Sequence, residues 1–370
     1  MNVEIIDRQK RAMRSEGLDA LIAISPENFA YTAGFVVPSQ PLMRWRHAIA
    51  VITADGAAGM VVVDMEAATV RARAGFEDAR SYREFVDDPM EALRDLIADL
   101  GLERTRLGIE LQYLPARDFS TLQEKLPGAT LVAADRIFNK LRQVKSRAEI
   151  DLLRGLSRIT DRAIGETLKS ARAGMTEIEL AAGLLGRIFA SGAENFKLMI
   201  IASGERSQYP NVGPSERALK REDLIRMEIF GMKNGYHAGV CRTAVVERAT
   251  AEQEKIWRNL IECKHRVMEM IKPGARCREV YRRFLEHFSS LGFEPISFVG
   301  HGIGLFLHEE PYLGRYGDEI LEEGMVVAIE PLAYIPGRMG LQNKDMLAVT
   351  ESGCELLSNE TATEELLRVG

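Results

Sequence analysis

Part of this chain is built twice. Ala173–Gly174 and Pro273–Gly274 each precede an amphipathic segment, and the apolar positions of the two segments match at an offset of one hundred residues. Leu180, Leu184, Leu185, Ile188 and Gly192 pair in this way with Val280, Phe284, Leu285, Phe288 and Gly292. Each segment follows a longer helical stretch and runs into strand-like sequence, KLMIIASG and DLIRMEIFGM in the first half, ISFVGHGIG and MVVAIEPLAYI in the second. One such unit cannot bury its own apolar face. Two of them predict a pseudo-twofold α/β domain with helices packed outside the sheet.

The duplicated region does not reach the N-terminus. The first 140 or so residues alternate short apolar runs, LDALIAIS (18–25), HAIAVIT (47–53), GMVVVDM (59–65), LGIE (107–110) and ATLVAA (129–134), with helix-like segments such as Pro89–Leu100 and Arg117–Lys125. That rhythm predicts a separate α/β domain. Ser146 and Glu149 have the spacing of a capping box opening a long amphipathic helix. The boundary is therefore set between domains 1–143 and 144–370, and 370 residues are ample for two cores. A net charge of −6 with interspersed signs gives no basic face for nucleic acid. Because no uncharged run is long enough to span a membrane and no signal-peptide pattern opens the chain, a cytoplasmic location is expected. Cys241, Cys263, Cys277 and Cys354 lack metal-ligand spacing and read as reduced, packed thiols.

The chemistry gathers in the second domain. Glycines surround His301, and His308 follows seven positions on, a spacing that can bring both imidazoles to one cavity. Glu330 interrupts the apolar strand VVAI, and Glu228 interrupts LIRMEIF. A carboxylate in a buried strand requires a cation beside it. His237, His265 and His287 read as packing or surface residues. The cluster Arg44, Trp45, Arg46 and His47 reads as a solvated strand edge, or as a group that reaches a partner's active site.

GYHAGVCRT, GHGIG…HEEP, MVVAIEP and AVTESG, in this order along the chain, resemble the motifs of the creatinase / aminopeptidase P / prolidase superfamily. The resemblance covers the chain from about residue 145 onward and implies the pita-bread fold. The first 140 residues are similar to the creatinase-type N-terminal domain in length and rhythm. In the metallopeptidase members two Asp, one His and two Glu hold a pair of divalent ions. Carried over, His301 and Glu330 match and Glu228 stands for the first Asp. Gly239 and Lys344 occupy the positions of the bridging Asp and the bridging Glu. An ammonium among oxygen ligands repels a hard cation, so the expectation is that no metal binds and that Lys344 compensates Glu228 and Glu330.

These residues lead to three functional readings. The first is a metal-independent hydrolase or lyase acting on a C–N bond of a small amino-acid-like, guanidino or amidine compound. In it His301 or Glu330 is the base, His308 the acid or orienter, Lys344 the electrostatic stabiliser and Glu228 part of the same site. Tyr209, Asn211, Tyr236 and Arg242 are expected to face substrate, with Arg242 as a carboxylate clamp. Asn211 stands where creatinase carries its catalytic histidine, which argues against creatine itself. The second reading is an Xaa-Pro-type metallopeptidase with one ion at Glu228, His301 and Glu330. The third is an inactive, peptidase-like binding protein. The resemblance also implies a homodimer and a small-molecule substrate.

Overall fold

A computed structural model describes residues 2–43, 45–73, 75–76 and 78–370. The chain divides into two compact units, residues 1–142 and 143–370. The first holds strands β1 (Ala20–Ala23), β2 (Ile49–Thr53), β3 (Ala58–Val63), β4 (Asp78–Tyr82), β5 (Arg106–Ile109) and β6 (Thr130–Ala133), in spatial order β4-β3-β2-β1-β5-β6. Pairing is antiparallel at β1–β2 and β2–β3 and parallel elsewhere. Helices α1 (Val3–Glu16), α2 (Pro26–Ala33), α3 (Ala67–Arg73), α4 (Pro89–Asp99), α5 (Ala116–Lys125) and α6 (Asp135–Gln143) alternate with the strands.

The period-two alternation of side chains splits the strand residues between two cores. Ile22, Val51 and Val61 pack with Leu93 and Leu96 of α4, whereas Leu21, Ala50 and Met60 pack with Met13 of α1 and Phe138 of α6. The continuous apolar runs of the sequence follow from this, because both faces of the sheet are covered. Strand β4 escapes sequence reading: DARSY is polar and lies at the sheet edge. His47 is buried with Nε2 2.8 Å from Asp118 Oδ2, and Arg46 pairs with Glu84 at 2.6 Å. The expected solvated edge is thus a set of paired groups, with Arg44 outside the described residues.

In the second unit the long helix α7 (Arg147–Lys169) opens at the Ser146/Glu149 capping box, with both reciprocal bonds made. It is followed by α8 (Glu177–Ala190), β7 (Asn195–Ser203), β8 (Leu224–Lys233) and β9 (Tyr236–Val246). The second half runs through α9 (Ala251–Met270), α10 (Cys277–Ser290), β10 (Phe298–Gly302), β11 (Glu309–Gly314), β12 (Val326–Ile329), β13 (Leu332–Ile335), β14 (Met339–Gln342), β15 (Asp345–Val349), β16 (Cys354–Leu356) and β17 (Leu367–Val369). The larger sheets have the orders β17-β9-β8-β7 and β11-β10-β12-β15-β16.

The duplication is visible bond by bond. Gly174 N–H donates to Leu219 C=O at 2.9 Å, and Gly274 N–H donates to Leu321 C=O at 2.8 Å. Glu177 N–H to Arg217 C=O at 3.2 Å likewise corresponds to Cys277 N–H to Glu319 C=O at 3.0 Å. Gly174 and Gly274 have φ of +89° and +84°, a region that disfavours a side chain, so the turn into each second helix requires glycine. The two sheets meet where Cys241 and Lys344 exchange backbone bonds of 3.2 and 3.1 Å.

Beside that seam, Asp345 accepts from Arg242 at 2.8 Å, Lys264 at 2.9 Å, Asn343 at 2.6 Å and Ser358 at 2.8 Å. Arg242 also faces Asp161 at 3.0 Å. One buried network therefore ties α7, α9, β9 and β15 together. Among the described residues no helix is long and apolar enough to cross a membrane.

Burial opposes the charge on Asp345, but Arg242 and Lys264 overcome it and hold the carboxyl well below the usual range. The group therefore contributes stability above its unfolded pKa, roughly 3.9, and that contribution is lost as pH falls below it. Asp345→Asn is expected to destabilise the protein by about 3–5 kcal/mol, because it leaves the buried Lys264 ammonium without its carboxylate and Arg242 with Asp161 alone. Urea unfolding of the variant and the wild type at pH 7 measures this, and the gap should narrow toward pH 3.

Candidate functional site

The site is a row of side chains laid across the seam by strand register. Glu228 on β8 pairs with Cys241 on β9, and Cys241 bridges to Lys344 just before β15. His301 on β10 lies opposite Ala328 on β12, two residues before Glu330. Residues distant in sequence thus converge because both halves of the duplication bring a strand to the same line.

Lys344 is fully buried, with Nζ 3.1 Å from Glu228 Oε1, 3.3 Å from Glu330 Oε2 and 4.3 Å from the centroid of the Phe230 ring. Burial by itself would discharge the ammonium, but the two carboxylates outweigh it and raise its pKa above the ordinary lysine value. Burial likewise opposes the charge on Glu330, and Lys344 holds it ionised, below the usual carboxylate range.

His301 and His308 stack, with ring centroids 3.5 Å apart and planes 14° from parallel. Burial, with a smaller contribution from Lys344, lowers the His308 pKa to about 3, so this imidazole is neutral at pH 7. His301 Nδ1 lies 2.9 Å from Gly302 C=O, an oxygen that can only accept, so the proton sits on Nδ1 when the ring is neutral. The Nε2 lone pair then points at Glu330 Oε1, 3.3 Å away, and both atoms are buried without a hydrogen-bond partner. Two lone pairs facing across that gap call for a cation between them.

A divalent ion fits that requirement. Donor atoms of His301, His308 and Glu330 lie within 4.8 Å of one another, and two imidazoles with one carboxylate suit first-row divalent ions. The sequence expected Glu228 as the third ligand. In the structure Glu228 is paired with Lys344, and His308 completes the group. Lys344 Nζ stands between the two carboxylates, and a Cβ added at Gly239 would meet Phe230 Cε1 at 2.4 Å, so the Phe230 ring occupies the space a ligand at 239 would use.

The expected substrate-facing residues separate. Tyr209 is half exposed and Asn211 exposed, both on the segment after β7. Tyr236 donates its hydroxyl to Glu149 at 2.8 Å, at the start of α7. Arg242 is only 2% exposed and its guanidinium is taken up by Asp161, Asp345 and the carbonyls of Cys241, Lys344 and Ser358. It is a structural ion-pair partner, not the expected carboxylate clamp. His237 is buried against Gly304 C=O, and His265 and His287 pair with Glu364 and Glu262. All four cysteines are free thiols. Sequence reading missed Gln342, which donates to Glu330 at 3.1 Å, and Arg226, which donates to Gln342. An arginine inside the apolar run LIRMEIF, two positions before Glu228, was the available signal.

Residues 151–351 match the metallopeptidase family M24, and residues 6–144 match the creatinase/prolidase N-terminal domain. The chain is 28% identical over 367 residues to an Xaa-Pro dipeptidase of Pyrococcus furiosus, covering 96% of this chain and 97% of that protein. It is 26% identical over 373 residues to a creatinase of a Bacillus species, covering 94% and 88%. The crystal structure of an X-Pro aminopeptidase from Thermotoga maritima superposes with a TM-score of 0.87 at 25% identity, covering 98% of this chain and 99% of that one. These matches, with the His301–His308–Glu330 group, overturn the expectation that the protein has no metal cofactor. With a metallopeptidase match over more than half its length and a matching N-terminal unit, the chain belongs to metallopeptidase family M24 and is a hydrolase of the creatinase / aminopeptidase P / prolidase superfamily.

Proposed function

We propose that this protein is an Xaa-Pro-type peptidase that works with a single divalent ion held by His301, His308 and Glu330, with Lys344 in the place of a second ion. The carrying observation is the pair of orphaned, facing atoms His301 Nε2 and Glu330 Oε1 beside a fully buried ammonium. Relatives named as dipeptidases favour a peptide substrate over the small guanidino or amidine compounds first expected. They also favour the metal-dependent reading over an inactive binding protein.

When bound, the ion supplies Lewis-acid polarisation of the scissile carbonyl. The chain's own residues do the rest. Gly302 C=O fixes the His301 tautomer so that Nε2 is presented as a donor to the ion. The stacked His308 ring lies half-buried beside it, at the less enclosed side of the group. Two carboxylates face one ammonium, so the three groups in direct contact carry one negative charge in excess. A single divalent ion reverses that sign, and a second would add its charge next to Nζ. Lys344 thereby sets both the affinity for the first ion and the exclusion of another.

Three outcomes are expected. Mass spectrometry of protein loaded with Mn²⁺, Co²⁺ or Zn²⁺ and desalted should find close to one ion per chain. Two ions, or none, would overturn the single-ion reading. The loaded protein should hydrolyse Xaa-Pro dipeptides, and His301→Ala should abolish both loading and turnover; a fully loaded protein inert toward such dipeptides would sink the peptidase assignment. Lys344→Met should lower the stability of the metal-free protein by about 3–5 kcal/mol, since it leaves two buried carboxylates without their cation. An unchanged melting temperature would mean that the carboxylates do not depend on Lys344.

A further inference from the structure

Arg226 is a fully buried arginine on β8, two residues before Glu228. Its Nη1 donates to Gln342 Oε1 at 2.8 Å and to the Tyr334 hydroxyl at 3.2 Å. Its Nη2 donates to the carbonyls of Tyr209 and Pro210, the latter at 3.0 Å. The guanidinium also lies 5.4 Å from the centroid of the Tyr334 ring. All of these acceptors are neutral, so burying the cation here costs more than burying it beside a carboxylate. An aliphatic side chain would fill the same strand position without that cost.

The arrangement gains a purpose at Gln342. This amide accepts from Arg226 through Oε1 and donates from Nε2 to Glu330 Oε2 at 3.1 Å. An amide can turn either its oxygen or its nitrogen toward a neighbour. Next to Glu330 an oxygen would be repelled and a nitrogen attracted. Because the guanidinium can only donate, it fixes the amide with its donor toward the carboxylate. Glu330 Oε2 is then held by Gln342 and Lys344, which leaves Oε1 aimed at His301 Nε2.

We propose that Arg226 is a positioning residue for the ion site: it orients Glu330 through Gln342 and, through two backbone carbonyls, ties that orientation to the segment carrying Tyr209 and Asn211. The inference rests on the reading that His301, His308 and Glu330 hold an ion. A planar fork serves the amide, the hydroxyl and both carbonyls at once, which a lysine ammonium in the same place cannot do.

Calorimetric titration of Zn²⁺ into the metal-stripped full-length protein tests it, using the wild type, Arg226→Met, Gln342→Leu and the double variant. Each single variant should bind Zn²⁺ about 10–100-fold more weakly, the range for losing a partner that orients a metal ligand. The double variant should be no weaker than the weaker single variant, because the two residues act in series. If Arg226→Met does not fold by circular dichroism, Arg226→Lys takes its place with the same expectation, since it keeps the buried charge but not the fork. Wild-type affinity in the arginine variant, or losses that multiply in the double variant, would overturn the proposal. A lowered melting temperature with unchanged affinity would also overturn it, as a purely structural role. Failure of the wild type itself to bind would instead remove the ion-site reading, and this inference with it.

Discussion

The second unit is organised around one buried ammonium. Lys344 lies between Glu228 and Glu330, and each carboxylate is intelligible only with the cation in place. Two carboxylates in a low-dielectric interior repel each other and resist ionisation, and an interposed positive charge removes both difficulties together. Once that contact is fixed, Glu330 Oε1 is directed toward His301 and the Phe230 ring has a cation to face. Stability and chemistry here share the same atoms, so few substitutions in this row can alter one without the other.

The duplication places this contact. Each half contributes helices outside and strands inside, and the sheets touch along the line of Cys241 and Lys344. A seam between two rigid halves suits a functional site because side chains from both reach it while neither half has to deform. The network of Asp161, Arg242, Lys264 and Asp345 performs the corresponding structural task just beneath, locking helices of both halves onto the seam. One set of buried charges is internally balanced and closed. The other retains an excess negative charge and a facing pair of unpaired atoms, and that imbalance distinguishes the candidate site from the structural network.

Much of this was legible in the chain. The apolar matches at an offset of one hundred and the Ser146/Glu149 box correspond to observed helices and caps, since local spacing alone dictates them. Glu228 and Glu330 stood out because ionisable groups inside apolar strands are costly, and cost is visible in sequence, whereas Lys344 stood out only through the resemblance to the family's ligand positions. Arg242 misled because its position in the motif suggested a substrate-facing group. It looks like a free clamp until the fold brings Asp161 and Asp345 to it from other elements. Strand β4 was invisible because an edge strand need not be apolar.

The sequence by itself determined the two-unit α/β organisation, the doubled helix pattern and the presence of charged residues that must find partners in the interior. These follow from periodicity and from the cost of burying charge, both local properties. Only the tertiary structure decided who the partners are. His308 stacks on His301, Phe230 fills the space beside Gly239, and Arg226 reaches Glu330 through Gln342. The Arg226–Gln342 contact depends on strand register across a seam between segments about one hundred residues apart, whereas the histidine stack and the Phe230–Gly239 contact form within one half, and in neither case does a single segment carry the information that sets it.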